Sequence, residues 1–324
     1  MRGAQWPMSG RQQAGRSGAG VAGRAGRVGR AGTGRVGRAG AAAAATRVRG
    51  EKVQRRLDWT FPPAPVRREV REARPDDIAA GRPPLLCVHG AGMGAWAFER
   101  WLPAAAAAGW HAVAVSLRGH GGSEVPEHLA TTTLRHYEHD VLQTITELPA
   151  PPVLVGHCLG AVVVQRVLER YRSAPAAVLL SPPPPDHGLA LLGALARNDP
   201  AALVRGGLGL EARPRPATLV GPATPAEEAA ALAGRLDREP VLAALQVALP
   251  RRVPAVRTPV LVISGGEDRI VTPATAARTA RLLGTRAHLY RGLGHNLLLE
   301  RGWEDVLQDV LAWLGRTQAD ARRR

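Results

Sequence analysis

The sequence predicts an α/β fold with a mostly parallel central sheet, helices on both faces and a helical cap insertion. After about residue 67, short apolar runs alternate with helix-like stretches, a pattern typical of a parallel sheet covered on both sides. Residues 187–255 break this alternation, since they contain no convincing strand and several helix-like runs. We therefore expect a core in two parts, residues 51–186 and 256–318, with a helical cap at 187–255.

Six apolar runs are predicted to form the strands of this sheet, and each is bounded by turn residues. They are LLCVHG (85–90), HAVAVSL (111–117), PVLVGH (152–157), AAVLLSP (176–182), PVLVISG (259–265) and AHLYRG (287–292). A helix is predicted over 131–148, where apolar residues recur on one face. In the cap, Thr224-Pro225-Ala226-Glu227 predicts a helix start with a capping box. Parallel sheets bind ligands at the carboxyl ends of their strands.

The basic charge of the chain is concentrated at its N-terminus. Residues 1–50 hold ten Arg and no acidic residue, and their Arg/Gly/Ala-rich composition predicts a disordered tail. The rest of the chain carries a net charge of +6 of the total +16, and aromatic residues make up only 4% of the sequence. Because nucleic-acid grooves usually combine basic residues with aromatics for stacking, we expect no nucleic-acid partner.

The cysteine content and hydropathy predict a cytoplasmic protein. The two cysteines, Cys87 and Cys158, both lie in apolar contexts, so a disulfide framework is not expected. No apolar run approaches the roughly 20 residues that span a bilayer, and no secretory signal is recognisable. The oligomeric state is left open by the sequence.

The segment Val155-Gly156-His157-Cys158-Leu159-Gly160 carries the main chemical signal. It lies between a predicted strand and an apolar helix and has the pattern G-x-nucleophile-x-G of a nucleophile elbow, with cysteine as the nucleophile. The glycines are needed because the strand and helix backbones approach closely at such a turn. The positive end of the helix dipole favours a thiolate there.

An acid and a base follow in loops after later predicted strands. Asp268, in Gly-Gly-Glu-Asp-Arg-Ile-Val, is the expected acid, with Glu267 as its competitor. His295, in Gly-Leu-Gly-His-Asn, is the expected base. The order nucleophile, acid, histidine is that of the triad on this fold. His295 would take the thiol proton or form an ion pair with the thiolate, and Asp268 would orient its ring and stabilise the imidazolium.

Backbone amides are expected to stabilise the oxyanion that forms during attack on a carbonyl. The amides of Leu159 and of Ala91, which follows His89-Gly90, are the candidates, and His89 itself is expected to be structural. Trp96 is a candidate substrate contact, although it and Trp101 are equally interpretable as helix anchors.

No metal or cofactor site is predicted. His136 and His139, followed by Asp140, have the spacing of a weak metal motif, but histidines three apart on a polar helix face are more typical of a solvated surface. His157 is interpreted as a packing or hydrogen-bonding residue. Cys87, in a predicted central strand, is interpreted as core.

Together, HGAGMGAWAFERW, SLRGHGGSE, VGHCLGAVVVQ, SGGEDRIV and GLGHN resemble motifs of the α/β-hydrolase superfamily, in particular its lysophospholipase-like, cap-bearing branch. The resemblance covers about residues 68–316 and implies the α/β-hydrolase fold. Most members of that branch have serine at the elbow. The G-x-C-L-G of this chain is similar instead to dienelactone hydrolases, which generally lack such a cap, and to polyhydroxyalkanoate synthases, whose cap is usually larger.

The leading functional hypothesis is hydrolysis of a carboxylic ester, lactone or thioester through an acyl-enzyme on Cys158. The expected partner is a small-molecule acyl substrate, free or carrier-bound. Because thiolate attack on a thioester is nearly an even exchange, a cysteine acyltransferase or polyester-synthase-like enzyme is the alternative. A third hypothesis is a non-catalytic binding protein in which cysteine marks a lost serine.

Overall fold

The computed structural model describes most of the chain from residue 62 onward. The described segments are residues 62–76, 81–186, 188–208, 214–251 and 257–323. The predicted tail, residues 1–50, lies outside them.

All six predicted strand runs form strands of one sheet, which also has an edge strand that the sequence did not predict. The strands are β1 (Val70–Ala73), β2 (Leu85–Val88), β3 (Ala112–Val115), β4 (Val153–His157), β5 (Ala177–Leu180), β6 (Val260–Gly265) and β7 (Ala287–Tyr290). Their order in the sheet is β1-β3-β2-β4-β5-β6-β7. Only β1 runs antiparallel to its neighbour; the other pairs are parallel, with Cys87 beside Val155 and Val155 beside Val178.

Ten α-helices connect these strands or follow them in the described residues. They are α1 (Trp101–Ala107), α2 (Leu134–Glu147), α3 (Leu159–Arg170), α4 (Leu189–Asn198), α5 (Pro200–Gly207), α6 (Pro216–Leu219), α7 (Ala226–Gly234), α8 (Val241–Ala248), α9 (Pro273–Leu282) and α10 (Trp303–Arg323). Short 3₁₀ helices cover Ala95–Phe98 and Leu129–Thr131. The predicted helix at 131–148 is α2, which begins a few residues later than expected.

The sheet separates two hydrophobic clusters, because alternate residues of each buried strand face opposite sides. In β2, Leu85 and Cys87 face a cluster that includes residues of α1 and α10, whereas Leu86 and Val88 face one that includes residues of α2 and α3. The core strands are apolar on both faces for this reason, as expected of a parallel sheet covered by helices on both sides.

Helices α4 to α8 lie between β5 and β6, and the described part of residues 187–255 contains no strand. The capping box predicted at Thr224 is wrong in detail. Pro225 is the N-cap of α7 and the helix begins at Ala226, with no side-chain cap. The hydroxyl of Thr224 donates instead to the carboxylate of Glu300, at 3.4 Å. A tertiary contact therefore replaces the local hydrogen bond that the sequence suggested.

None of the helices in the described segments is both long and apolar enough to cross a membrane. The cytoplasmic location stays a prediction.

Candidate active site

Cys158 occupies a strained turn between β4 and α3. Its φ of 49° and ψ of −112° place it, as the N-cap of α3, in a region that L-residues rarely adopt. Among the described non-glycine residues, Ser181 is the only other one with positive φ. The turn holds because the amide of Cys158 donates to Leu180 O at 2.9 Å and its carbonyl accepts from Ala161 N at 3.0 Å. The strain is thus sustained by bonds to β5 and α3.

The two elbow glycines are required by the close approach of backbones. A Cβ on Gly156 would lie 2.5 Å from Gly160 O, and one on Gly160 would lie 2.2 Å from Val88 O. Each of these contacts is with backbone, which cannot give way as a flexible side chain does. The steric reason inferred from the sequence for the G-x-C-x-G pattern holds in the structure.

The predicted acid and base meet at the carboxyl edge of the sheet. Nδ1 of His295 lies 2.9 Å from Oδ2 and 3.1 Å from Oδ1 of Asp268, and both side chains are buried. Asp268 Oδ1 also accepts the amides of Ile270 and Val271, at 2.9 and 2.8 Å. Glu267, the competing acid, is exposed. The structure therefore brings Asp268 rather than Glu267 to the histidine.

The side chain of Cys158 also acts on the ring of His295. Since Nδ1 faces Asp268, Nε2 is the ring nitrogen left for the thiol. Burial by itself lowers the pKa of His295, but the charge of Asp268, aided by Cys158 and by the hydrogen bond to Asp268, raises that pKa well above its usual value of 6.5. Asp268 therefore stabilises the protonated form of the ring that Cys158 also influences.

The loop that was expected to provide an oxyanion donor lies directly against the elbow. A Cβ on Gly90 would be 3.3 Å from Cys158 Cβ. The carbonyl of Gly90 accepts from Met93 N at 3.1 Å, which closes a turn containing Ala91. Within the described residues, the amides of Ala91 and Leu159 donate to no protein acceptor. Leu159 is the first residue of α3, where amides lack a partner inside the helix.

His157, beside the nucleophile candidate, is fully buried and supports the base. Its Nε2 donates to the carbonyl of His295 at 2.9 Å, and the two rings lie 5.0 Å apart. Burial and the neighbouring His295 lower the pKa of His157 to about 3, so the ring is neutral. Its expected hydrogen-bonding role is thus found, with the main chain of His295 as its acceptor.

Other residues singled out by the sequence are engaged in the fold. Nε2 of His89 accepts from Leu117 N at 2.9 Å while Nδ1 faces Gly90 O, a structural arrangement. Cys87 is buried in β2, and burial raises the pKa of its thiol. Trp96 is 5% exposed and lies under the guanidinium of Arg235, at 4.1 Å from the ring centroid. Its contact with a substrate stays a prediction.

The weak metal motif on α2 is used for helix structure. Nδ1 of His136 accepts the amide of Thr133 at 3.1 Å and closes a capping box at the start of the helix. Asp140 is fully buried and binds the guanidinium of Arg118, with a shortest contact of 2.6 Å.

Sequence reasoning missed two buried carboxylates near the site. Glu300 accepts the amides of Gly221 at 2.7 Å and Gly294 at 2.9 Å, so it ties the insertion to the turn that carries His295. Glu239 contacts the loop that contains Ala91, as described below. Neither lies in a recognisable motif. The only local signal for Glu300 is its position shortly after His295.

A surface cavity of about 170 Å³ lies beside the candidate site rather than at it. Val220, Leu232 and Leu299 supply its apolar lining, and Glu300 separates it from the histidine turn. Neither Cys158 nor His295 lines it. Cys158 itself is 7% exposed.

A model of the alpha/beta hydrolase family matches residues 85–309, well over half of the chain. Among curated relatives, Epoxide hydrolase A of Mycobacterium tuberculosis is 34% identical over 105 residues, which is 32% of this chain and 33% of the relative. Putative methylesterase 12, chloroplastic, of Arabidopsis thaliana is 34% identical over 89 residues, which is 27% of this chain and 25% of the relative. The chain thus aligns with at most about a third of these two proteins.

Solved structures resemble the whole described fold. A thermophilic esterase from Thermogutta terrifontis matches with a TM-score of 0.60 at 20% identity, covering 80% of this chain and 96% of that one. A putative aryl esterase from Burkholderia cenocepacia also gives 0.60 at 20% identity, with coverages of 80% and 97%. An enol-lactonase from Burkholderia xenovorans gives 0.58 at 18%, with coverages of 77% and 97%. At these identities the likeness concerns the fold.

Proposed function

The chain belongs to the alpha/beta hydrolase family, and on that premise we propose that it hydrolyses a carboxylic ester, lactone or thioester through an acyl-enzyme on Cys158. The observation that carries the proposal is the buried chain of contacts from Asp268 to His295 to the thiol of Cys158. A nucleophile, a base and a group that orients the base are the minimum set for acyl transfer.

In the first half-reaction, Sγ of Cys158 attacks the carbonyl carbon after its proton passes to Nε2 of His295. The negative charge that develops on the carbonyl oxygen is stabilised by the amides of Ala91 and Leu159. The tetrahedral intermediate collapses as His295 gives its proton to the leaving alcohol or thiol. The acyl group is then bound to Cys158 as a thioester.

In the second half-reaction, water attacks this thioester. His295 takes a proton from the water, a second tetrahedral intermediate forms in the same oxyanion site, and the Cys158 thiolate leaves. The carboxylic acid is released and the proton returns to the Cys158–His295 pair. Asp268 stays ionised throughout and stabilises the imidazolium in both steps.

We further propose that helices α4 to α8 act as a cap over this site, as in the lysophospholipase-like branch that the motifs resemble. Two contacts support the idea. Glu300 joins the insertion to the histidine turn through Gly221 and Gly294, and Gly92 of the oxyanion loop bonds to Asp237 of the insertion. A cap excludes water from the reacting groups.

The low exposure of Cys158 favours acyl transfer to another acceptor as the second candidate function. The Cys158 thiolate exchanges readily with a thioester donor, since one thioester forms as the other breaks and the donor's thiol leaves, and limited access for water lengthens the life of the acyl-enzyme. An alcohol or amine would then take the place of water in the second half-reaction, and the donor could be carrier-bound.

Intact-mass screening tests the proposal. The protein is incubated with p-nitrophenyl esters and acyl-coenzyme A thioesters of several chain lengths. We expect an acyl adduct on the parent and none on Cys158→Ala, with turnover reduced by at least about 10⁴-fold in that variant. Free acid as the product identifies a hydrolase, whereas a condensed product with an added alcohol or amine identifies a transferase.

Iodoacetamide supplies the matched control within the parent chain. It is expected to modify Cys158 in preference to Cys87, whose thiol is buried and has a raised pKa, and to abolish turnover. Unchanged turnover with fully alkylated Cys158 would reject the assignment. Greater activity in Cys158→Ser than in the parent would show that cysteine is a tolerated variant, and the absence of turnover and adduct with every substrate would favour a binding protein.

A further inference from the structure

The segment between α7 and α8, which we call the strap (residues 235–240), crosses from the insertion to the oxyanion loop. The amide of Asp237 donates to Gly92 O at 2.6 Å, and Asp237 Oδ2 accepts the amide of Gly121 at 2.8 Å. A Cβ on Gly92 would lie 2.9 Å from Asp237 O. The strap therefore contacts the backbones of two core loops, the one that contains Gly92 and the one that contains Gly121.

Glu239 is the part of the strap with the most contacts to the core. Its Oε2 accepts the amide of Gly92 at 2.9 Å and Nε2 of His120 at 3.2 Å, and its Oε1 accepts the hydroxyl of Tyr137 at 2.8 Å. The side chain of Glu239 is 13% exposed. Three donors from three separate core segments thus converge on one largely buried carboxylate.

The bonding of His120 shows that this carboxylate is part of an ion pair. Nδ1 of His120 faces the carbonyl of Arg118 at 3.1 Å while Nε2 faces Glu239. Since both neighbours are acceptors, both ring nitrogens must carry hydrogen, and the ring is an imidazolium. Burial lowers the pKa of His120, but the charge and hydrogen bond of Glu239 raise it by more.

The position of Gly92 connects these contacts to catalysis. Gly92 directly follows Ala91 and has a left-handed φ of 66°. Both of its backbone groups are held by the strap, the amide by Glu239 and the carbonyl by Asp237. With Gly92 fixed and the turn closed from Met93 to Gly90, the intervening Ala91 amide has little freedom to reorient.

We propose that Glu239 is a positioning residue that fixes the Ala91 oxyanion donor from the insertion, so that the donor is in place only when the strap is docked. The inference rests on the proposed function, because it assigns a role in stabilising an acyl-transfer oxyanion. It also gives the insertion a part in the chemical step, through a carboxylate that does not contact the substrate.

The test compares a reaction that needs the oxyanion site with one that does not. Ester turnover forms an oxyanion, whereas alkylation of Cys158 by iodoacetamide displaces iodide at a saturated carbon and forms none. Both reactions need the same thiol and His295. A defect confined to the Ala91 donor lowers the rate of ester turnover and leaves the rate of alkylation unchanged.

We expect Glu239→Ala to lower kcat for a p-nitrophenyl ester by about 10- to 100-fold, somewhat less than complete loss of one oxyanion donor. KM should change by less than about threefold and the alkylation rate by less than about twofold, because neither depends on oxyanion stabilisation. Glu239→Gln keeps one acceptor oxygen, so it should recover part of the lost kcat. Glu228→Ala, an exposed carboxylate on α7 that pairs with Arg301, is the matched control and should behave as the parent.

Two results would overturn the inference. One is a folded Glu239→Ala protein with the kcat of the parent; the other is a parallel fall in turnover and alkylation, which means general damage to the site. If the alanine variant fails to fold, the nearly isosteric Glu239→Gln variant provides the test. Its single side-chain oxygen cannot accept from all three donors as the carboxylate does, so its kcat should fall. A Glu239→Gln protein with the kcat of the parent would contradict the proposed role of Glu239. Failure of the proposed function is seen separately, as a parent protein that turns over no ester or thioester.

Discussion

Two buried histidine–carboxylate pairs lie at the carboxyl edge of the sheet, and they differ in what the second ring nitrogen meets. His295 bonds to Asp268 through Nδ1, and the thiol of Cys158 also acts on its ring. His120 bonds to Glu239 through Nε2 and to the carbonyl of Arg118 through Nδ1. In both pairs the carboxylate raises the pKa of the ring despite burial.

A raised pKa therefore does not distinguish His295, the proposed base, from His120, the structural cation. A carbonyl oxygen cannot donate a proton, so His120 is locked as a donor on both sides. A thiol both donates a proton and, as thiolate, accepts one, so His295 has a partner with which to exchange it. On the proposed function, the neighbour of the second nitrogen, rather than the carboxylate, separates the pair that transfers a proton from the pair that is structural.

The largest effect is expected from removing the negative charge of Asp268 in the pair with His295. Asp268→Asn should lower kcat/KM by at least about 100-fold, because the amide neither stabilises the imidazolium nor fixes the ring tautomer. Without the carboxylate the pKa of His295 falls, so the decline of residual activity as pH rises through that pKa should move to lower pH. Steady-state kinetics across the pH range with a p-nitrophenyl ester measures both quantities.

Glu267→Gln makes the same change in charge one residue away, on an exposed side chain, and should retain parental kcat/KM within about twofold. If this control lost as much activity as Asp268→Asn, the assignment of the acid would be wrong.

A smaller effect is expected from removing the charge of His120 in the pair with Glu239, and it concerns the stability of the fold more than the rate of turnover. The folded-state pKa of His120 lies above its usual 6.5, so the ion pair stabilises the fold fully below about pH 6.5 and loses this contribution as pH rises through the folded-state pKa. His120→Gln should therefore lower the free energy of unfolding most at about pH 6, with a gap that narrows toward about pH 9.

Urea unfolding of the parent and of His120→Gln across this pH range measures the gap. Because both proteins contain His295, its titration cancels in the difference between their free energies of unfolding. The charged and titratable groups around the ring are Glu239, Asp237, His89 and Tyr137. A gap that is constant with pH, or that widens as pH rises, would contradict a protonated His120 in the folded state.

The smallest effect is expected at a third pair on the protein surface. Nε2 of His111 lies 3.1 Å from Glu72, whose side chain is 45% exposed. Solvent screens such pairs, so Glu72→Gln should change the free energy of unfolding by less than about 1 kcal/mol and leave turnover unchanged. Chemical denaturation and the ester assay measure these quantities. A loss of activity here would mean that edge strand β1 affects the site more than its position suggests.

The predicted sheet and the actual one agree best where strands are buried on both faces. Strands β2 to β5 are buried along their whole length, and their mainly apolar runs were identified. Strand β7 was identified as well, although its residues are half-buried or exposed. Strand β1 was missed because Val-Arg-Glu-Ala lies at the edge with mostly exposed side chains, so burial leaves no apolar pattern in it. Its pairing with β3 is fixed by tertiary contacts.

The candidate triad was predicted because each of its members lies in a short motif directly after a strand. The contacts of Glu239 were not predicted. The residues involved come from four segments with no shared local pattern, namely those of Gly92, His120, Tyr137 and Glu239. The capping box at Thr224 failed for a related reason: a buried carboxylate 76 residues away competed successfully for its hydroxyl.

The sequence by itself determined six of the seven strands in the described residues and the elbow with its two obligatory glycines, and it nominated Cys158, Asp268 and His295 as a candidate triad. These follow from periodicity and from steric limits that act over a few residues. Only the tertiary structure decided which carboxylate faces which histidine, that His157 holds the main chain of His295, and that the insertion holds Gly92. Those choices depend on hydrogen bonds between distant segments, whose formation is set by burial.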